Sequence, residues 1–314
     1  MKKLFIVCTI GTLLSALITP TDARTSQERL RWIRGEFELP PEIKKVANIS
    51  ELQRFLDSES EFTRMAAARR LGQLDDRDAV NVLASRFAKE PYKTLRSPEG
   101  TPIVKLEIVR TLETIQGEKT KSLLLNIANS YWRRGPQCKC KKCKDKGLYP
   151  HHDGDYSSVF PAVLKALEVW KEDQSVFSIS SQIVLDENIR STPVLVSAWE
   201  LHLITKMARE GITTDEQAVD YLLSFLVETG IQPETYIVKD GVGVRTIKSI
   251  TVEAVGSILK GYSESALSYL QREVKNTSPE DKKRLEALYY AIGQVRQSLK
   301  SRTEQKEKQT QNTR

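Results

Sequence analysis

Between Phe62 and Phe87 the sequence FTRMAAARRLGQLDDRDAVNVLASRF carries two apolar stripes at helical spacing, one on each side of an acidic turn. Ala67, Leu71 and Leu74 fall at i, i+4 and i+7; Val80, Leu83, Ala84 and Phe87 fall at i, i+3, i+4 and i+7. Between them lies Asp75-Asp76-Arg77-Asp78. An aspartate there can cap the second helix, and its neighbours sit where the helix dipole favours negative charge. The run Ala66-Ala67-Ala68 leaves little side chain on part of the first helix, so a neighbour can approach closely.

The same spacings return. Ile108, Leu112 and Ile115 repeat the first stripe and Leu124, Ile127, Ala128 and Tyr131 the second, 41 positions on from Ala67 to Ile108. Val163, Leu167 and Trp170 are followed by Val176, Ile179 and Ile183; Ala218, Tyr221, Leu222 and Phe225 give the second stripe again, and Leu285, Tyr289 and Ile292 the first. A period near forty residues suits stacked helical pairs, each unable to bury its apolar face alone. The residues Ala67-Ala68, Leu71-Gly72, Asp78-Ala79-Val80 and Leu83 resemble the HEAT-repeat family, most closely the short HEAT-like repeats of phycobilisome-lyase-type proteins. The resemblance implies an all-α fold, an α-solenoid of HEAT-like helical pairs, and a surface that binds a protein partner. It implies no chemistry.

Met1 to Ala23 reads as a signal peptide. Lys2 and Lys3 are the charged start, Leu4 to Ile18 an apolar stretch too short to span a bilayer comfortably, and Thr21-Asp22-Ala23 the cleavage region. A periplasmic or secreted protein is expected, with no stable membrane span once the signal is removed. Lys plus Arg is 48 against 41 acids, a net +7. That balance is compatible with an anionic partner and equally with plain solubility.

Residues 24–299 are read as the solenoid, with two insertions. Ser26 to Arg34 suggests a short helix that ends before the extended Pro40-Pro41. Helix starts are expected at Ser50, Thr101-Pro102, Thr192-Pro193 and Ser278-Pro279, and a capping box at Thr213 with Glu216. The insertion at 236–247, YIVKDGVGVRTI, reads as a β-hairpin turning at Asp240-Gly241. Residues 300–314, without apolar periodicity, read as a disordered polar tail.

The insertion at 133–156, RRGPQCKCKKCKDKGLYPHHDGDY, concentrates the soft ligands. Cys138, Cys140 and Cys143 are the only cysteines besides Cys8, and His151 and His152 are two of the three histidines. Three thiolates and one imidazole are a normal tetrahedral set for zinc, with Gly147 and Pro150 letting the chain turn back. Lys139, Lys141, Lys142, Lys144 and Lys146 favour the thiolate form. Two other readings stand beside the metal. An oxidising compartment allows a disulfide, such as Cys138 to Cys143, with one thiol left over. The C-x-x-C can be redox-active, although no βαβ pattern surrounds it.

No G-x-S-x-G, H-E-x-x-H or Walker loop is present, and Gly241-x-Gly243 lacks the third glycine and helix of a nucleotide loop. The chain therefore reads as an exported, non-enzymatic scaffold for a protein partner, with a zinc-stabilised loop. The alternatives are a metal-handling or thiol-redox protein acting through the insertion, or, if the chain is not exported, a basic zinc-knuckle nucleic-acid binder using Arg133, Arg134 and the lysines.

Overall fold

The computed structural model describes residues 37–74, 76–91, 102–135, 155–186, 189, 191–232, 236–239 and 242–312. The signal segment, the helix expected over Ser26 to Arg34, Thr101 and all five cysteine and histidine ligand candidates lie outside these residues.

Helices dominate. After the single turn α1 (Pro41–Lys44) come α2 (Ile49–Leu56), α3 (Glu61–Gln73), α4 (Ala79–Lys89), α5 (Ile103–Ile115) and α6 (Glu118–Arg134). A π-helical turn (Asp155–Val159) runs into α7 (Phe160–Ala166), which tightens to a 3-10 turn over Leu167–Trp170. There follow α8 (Gln174–Leu185), α9 (Thr192–Arg209), α10 (Asp215–Thr229), α11 (Ile247–Leu259), α12 (Glu264–Asn276) and α13 (Lys282–Asn312). Between α10 and α11, β1 (Tyr236–Lys239) pairs antiparallel with β2 (Val242–Arg245), Lys239 opposite Val242, in the expected hairpin. Its turn residues lie outside the described ones.

The helices form two layers. One layer holds α2, α4, α6, α8, α10 and α12; the other holds α3, α5, α7, α9, α11 and α13, each packed on the next. Each helix of the first layer packs on the one that follows it: α2 on α3, α4 on α5, α6 on α7, and so on to α12 on α13. This is the expected all-α solenoid, but the pairing differs in phase from the reading of Phe62 to Phe87 as one hairpin. There α3 packs chiefly on α2 and α5, and only lightly on α4.

Close approach explains the phase. The alanines of α3, together with Met65 and Leu71, are fully buried. Gly72 faces α5 so closely that an added Cβ would stand 2.8 Å from the Thr111 methyl. The Thr111 hydroxyl donates to the Ala68 carbonyl (3.1 Å). Backbones at that distance gain dispersion contacts along the whole helix. The α3–α5 contact therefore dominates the shorter α3–α4 turn.

The stripes are buried as read at Ala67, Leu71, Val80, Leu83, Ile108, Leu112, Leu124, Ala128, Val163, Leu167, Val176, Ile183 and Leu222. The last one is misplaced. Tyr289 is 60% exposed, and α13 buries Leu288, Ile292 and Val295 together with Ala287 and Ala291. The small alanines sit where the helix meets its neighbours, which rotates the buried face away from the tyrosine.

Helix ends also shift by a residue or more. Asn48, one turn before Leu52, caps α2 through its side chain (2.8 Å to the Glu51 N–H) in place of Ser50. Thr214 with Gln217 forms the capping box, not Thr213 with Glu216. Asp78 makes no capping bond with its side chain; Asp76 instead accepts from the Asp78 N–H. Ser278-Pro279 begins a turn, and Asp281 caps α13 by accepting from the Arg284 N–H (3.1 Å). The tail expected to lack structure continues α13 to Asn312. Lys, Glu, Gln and Arg all favour a helix once it is nucleated. Arg302 also ties the extension back, donating to the Lys260 carbonyl at 2.7 Å.

The buried apolar residues fall into two cores. One runs from Ile43 to Leu201, the other from Leu203 to Val295, so the boundary passes through α9.

Leu71 is fully buried and Arg77 exposed. Leu71→Asp should cost several kcal/mol, since an unpaired carboxylate replaces an apolar contact. Arg77→Asp should change stability by less than about 0.5 kcal/mol. Urea denaturation of both variants checks this, and equal midpoints would contradict the packing.

Candidate functional site

The insertion springs from a tightly built root. α6 ends at Arg134, and Gly135 leaves it with a positive φ of 59°, a backbone shape suited to glycine. The chain re-enters the described structure at Asp155, which is wholly buried. Lys105 of α5 donates to the Asp155 Oδ2, and the Tyr131 hydroxyl of α6 donates to the same oxygen at 3.3 Å. Burial and the adjacent carboxylate push the Tyr131 hydroxyl far above its ordinary pKa, so it stays a proton donor. Phe160 stacks on Tyr131 with ring centroids 5.7 Å apart, and Tyr156 meets Phe160 edge-on. The next residue of α6, Trp132, donates from its indole to Asp186 at 2.7 Å. The last turn of α6 and the first turn after the insertion are thus held against each other. The insertion is an excursion whose two ends belong to one packed unit.

Paired charges join the first helices. Arg64 makes a two-pronged contact with Glu90 (2.7 and 3.1 Å), and Arg86 reaches the same carboxylate. Arg69 forks onto Glu107 (2.6 and 3.0 Å) and also donates to the Phe37 carbonyl. The planar guanidinium matches a carboxylate edge to edge, so each pair fixes orientation as well as contact.

Along the second layer, carboxylates follow one another: Glu113 on α5, Glu168 on the 3-10 turn after α7, Glu200 on α9 and Glu253 on α11. Glu168 feels the charges of Glu113 and Glu200, and Glu200 feels Glu253. Two lysines lie among them. Lys165 pairs with Glu168 at 2.7 Å, and Lys260 attracts Glu200. Burial raises both the Glu168 and Glu200 carboxyls above the ordinary carboxylate value, against the opposing pull of Lys165 and, for Glu200, the Ser257 hydroxyl. The Oε1 of Glu168 has no hydrogen-bond partner among the described residues. A face that holds partly desolvated acids in a line is poised to receive cations.

His202, expected to be a packed or rim histidine, is half-buried. Its ring stacks on Phe177 (5.5 Å) and meets Trp199 edge-on (5.7 Å), with Nδ1 3.2 Å from the Ser181 hydroxyl. Desolvation, and then the charge of Lys206, lower its pKa.

Cys138, Cys140, Cys143, His151 and His152 lie outside the described residues. Among the described residues no three His, Cys, Asp or Glu side chains are placed to hold a metal ion. No helix among them is long and apolar enough to cross a membrane. The buried Lys105–Asp155 pair and the carboxylate row were absent from the sequence reading. Scattered charges carry no periodic signal, and only the stacking of helices aligns them.

The family model for HEAT repeats matches residues 12–100, so this part of the chain is similar to HEAT repeats, in keeping with the helical stack. No curated protein and no solved structure matches it.

Glu200 gives the row a measurable signature. Its folded pKa lies above the unfolded one, so its contribution to stability is largest below the ordinary carboxylate pKa. That contribution is lost as pH rises through the folded value. Glu200→Gln should therefore raise the melting temperature at pH 8, and the gain should vanish on titration to pH 4. Calorimetry at both pH values checks the sign.

Proposed function

We propose that the chain is an exported helical-repeat scaffold whose second-layer face binds a basic segment of a protein partner. The observation that carries this reading is the row of carboxylates, contributed by successive helices of one layer. The second layer is also the more continuously packed of the two, and stacked helical repeats present extended surfaces for binding. Lys and Arg side chains spaced along an extended peptide would meet the acids in turn. The face is unsuited to a phosphate backbone, which its carboxylates would repel, and this favours a protein over a nucleic acid.

Within the same proposal, Met1 to Ala23 is a removed export signal, and the insertion holds one zinc through Cys138, Cys140, Cys143 and either His151 or His152. The motivation is the clustering of soft ligands in one lysine-rich loop, and the closed root is consistent with it. A closed excursion can bind metal without disturbing the stacked helices. Zinc there would be structural, holding the loop in one conformation.

Binding of a fluorescent oligolysine peptide to the full chain, followed by anisotropy, tests the scaffold reading. Affinity should fall with added salt and drop by about tenfold or more in the Glu168→Lys, Glu253→Lys double variant. Binding unchanged in that variant would move the site elsewhere.

Intact mass and metal analysis of protein taken from its native compartment test the rest. The expected result is an N-terminus at Arg24, three reduced cysteines and one zinc. A retained Met1 rejects export. A Cys138–Cys143 disulfide without metal rejects the zinc loop and makes it a covalent staple with one spare thiol.

A further inference from the structure

A cavity of about 500 Å³ lies where α9 and α11 end and the chain turns into α10 and α12. Its floor is apolar, made by Ile204, Met207 and Ala208 of α9, Ala218 of α10 and Ile258 of α11. Its rim is polar. Lys171 comes from the turn before α8, Thr213 and Asp215 from the entry to α10, and Tyr262 and Ser263 from the loop into α12. All the lining residues, and the residues on either side of them in the chain, are among those described. An apolar floor with a few convergent polar groups is the usual makeup of a small-molecule pocket.

Two opposite charges face this space. Asp215 is the one acid among the lining residues and Lys171 the one base. Neither makes an ion pair with any described residue. Asp215 accepts from the Ser263 hydroxyl (2.9 Å) and the Ser265 hydroxyl (3.2 Å), both at Oδ2. Its Oδ1 receives no hydrogen bond from a described residue. Burial, and then the charge of Asp215, push the Tyr262 hydroxyl up to about 12, so it stays a proton donor. The carboxylate therefore acts through a partly desolvated space, where a charge is felt more strongly than in water.

The positive side has a second element. Ser263 stands at the N-cap of α12 but makes no capping bond, because its hydroxyl is turned to Asp215. The first N–H groups of α12 thus lack a side-chain partner, and they favour an anion beside them. At α10, by contrast, Thr214 and Gln217 close the helix start with a capping box. A bare acid and a bare base over an apolar floor match a molecule that carries both charges and an apolar side chain.

We propose that this cavity binds a free apolar α-amino acid, with its ammonium at Asp215, its carboxylate at Lys171 and the start of α12, and its side chain against Ile204, Met207 and Ile258. The inference is independent of the carboxylate row on the second layer and of any metal in the insertion.

The probe is a mixture of leucine, isoleucine, valine, methionine and phenylalanine, offered to the folded full chain and read by saturation-transfer NMR. The tightest binder is then titrated by calorimetry. The expected result is saturable binding of one molecule. The same molecule without its amino group, and the same molecule without its carboxylate, should each bind about tenfold or more weakly, since each leaves one charge unanswered. Asp215→Asn keeps the side-chain shape and should weaken binding to a similar degree. Glu216→Gln makes the same change in net charge one residue on, at a side chain paired with Arg272 (3.4 Å), and should leave binding intact. Ala208→Trp, which fills the floor, should abolish it. Circular dichroism and melting curves for each variant show that the fold is kept. Absence of saturable binding by the wild-type chain overturns the proposal. Equal affinity for the amino acid and its decarboxylated amine also overturns it, because Lys171 and α12 would then have no part. Equal losses in Asp215→Asn and Glu216→Gln do so as well, because the effect would be general electrostatics.

Discussion

The close contact of α3 with α5 sets the terms for the rest of the molecule. Three alanines and a glycine let two backbones approach until Thr111 bonds directly to the Ala68 carbonyl. Once those helices lie side by side, α2 and α4 are left to cover the outer side of the layer, and the pattern propagates helix by helix. Each second-layer helix is buried by its neighbours in that layer and by its own partner. A single helix or pair would leave most of that apolar surface in water, so the array is stable only as a stack. Near the end of the chain a glycine again makes room at a layer contact, where Gly256 of α11 accommodates the Tyr290 ring of α13. Small residues at the layer contacts, more than large ones in the core, decide which helix sits beside which.

Burial of charge follows from that packing. When α3 and α5 are drawn together, Arg69 and Glu107 cannot both reach water, and they satisfy each other. Arg64 and Glu90 do the same between α3 and the end of α4, and Lys105 and Asp155 do so at the insertion root. Removing one member of such a pair would strand the other, at a cost of about 3–5 kcal/mol, whereas the intact pair adds little net stability over apolar residues. Their effect is to make one arrangement of helices much better than its neighbours. At the root of the insertion this matters most, because Asp155 fixes where the chain re-enters the stack.

The stripes were legible because burial in a helix repeats every three or four residues, and Leu71, Leu83, Ile108 and Leu112 are buried where the spacing puts them. What escaped reading has a different physical origin. The pairing phase depends on how closely two backbones approach, which the alanine run hinted at without saying which neighbour fills the space. Tyr289 shows the limit of periodicity: it has the right spacing with Leu285 and Ile292, yet the alanines beside it make the better contact face. The tail lacks an apolar stripe, so nothing in it predicts burial. Helix propensity and the Arg302 contacts to two carbonyls of the loop between α11 and α12 carry α13 through it.

The division of the core within α9 suggests how these parts work together. Leu201 belongs to one core and Leu203 to the other, and α9 is the helix both cores share. On one side of that helix, Arg209 lies over Phe177 of α8 while Lys206 sits between Tyr221 and Phe225 of α10. Cations over aromatic faces, with His202 stacked among them, tolerate small changes of distance better than interlocked aliphatic side chains do. In the second layer, by contrast, α9 packs continuously on α7 and α11. Strain in the stack would therefore concentrate in the cation–aromatic contacts and leave the layer with the carboxylate row intact. Glu200 stands on this same helix, between Glu168 of the first half and Glu253 of the second. A partner spanning the row would cross the boundary between the two cores, and its charges would hold the halves in one relative position.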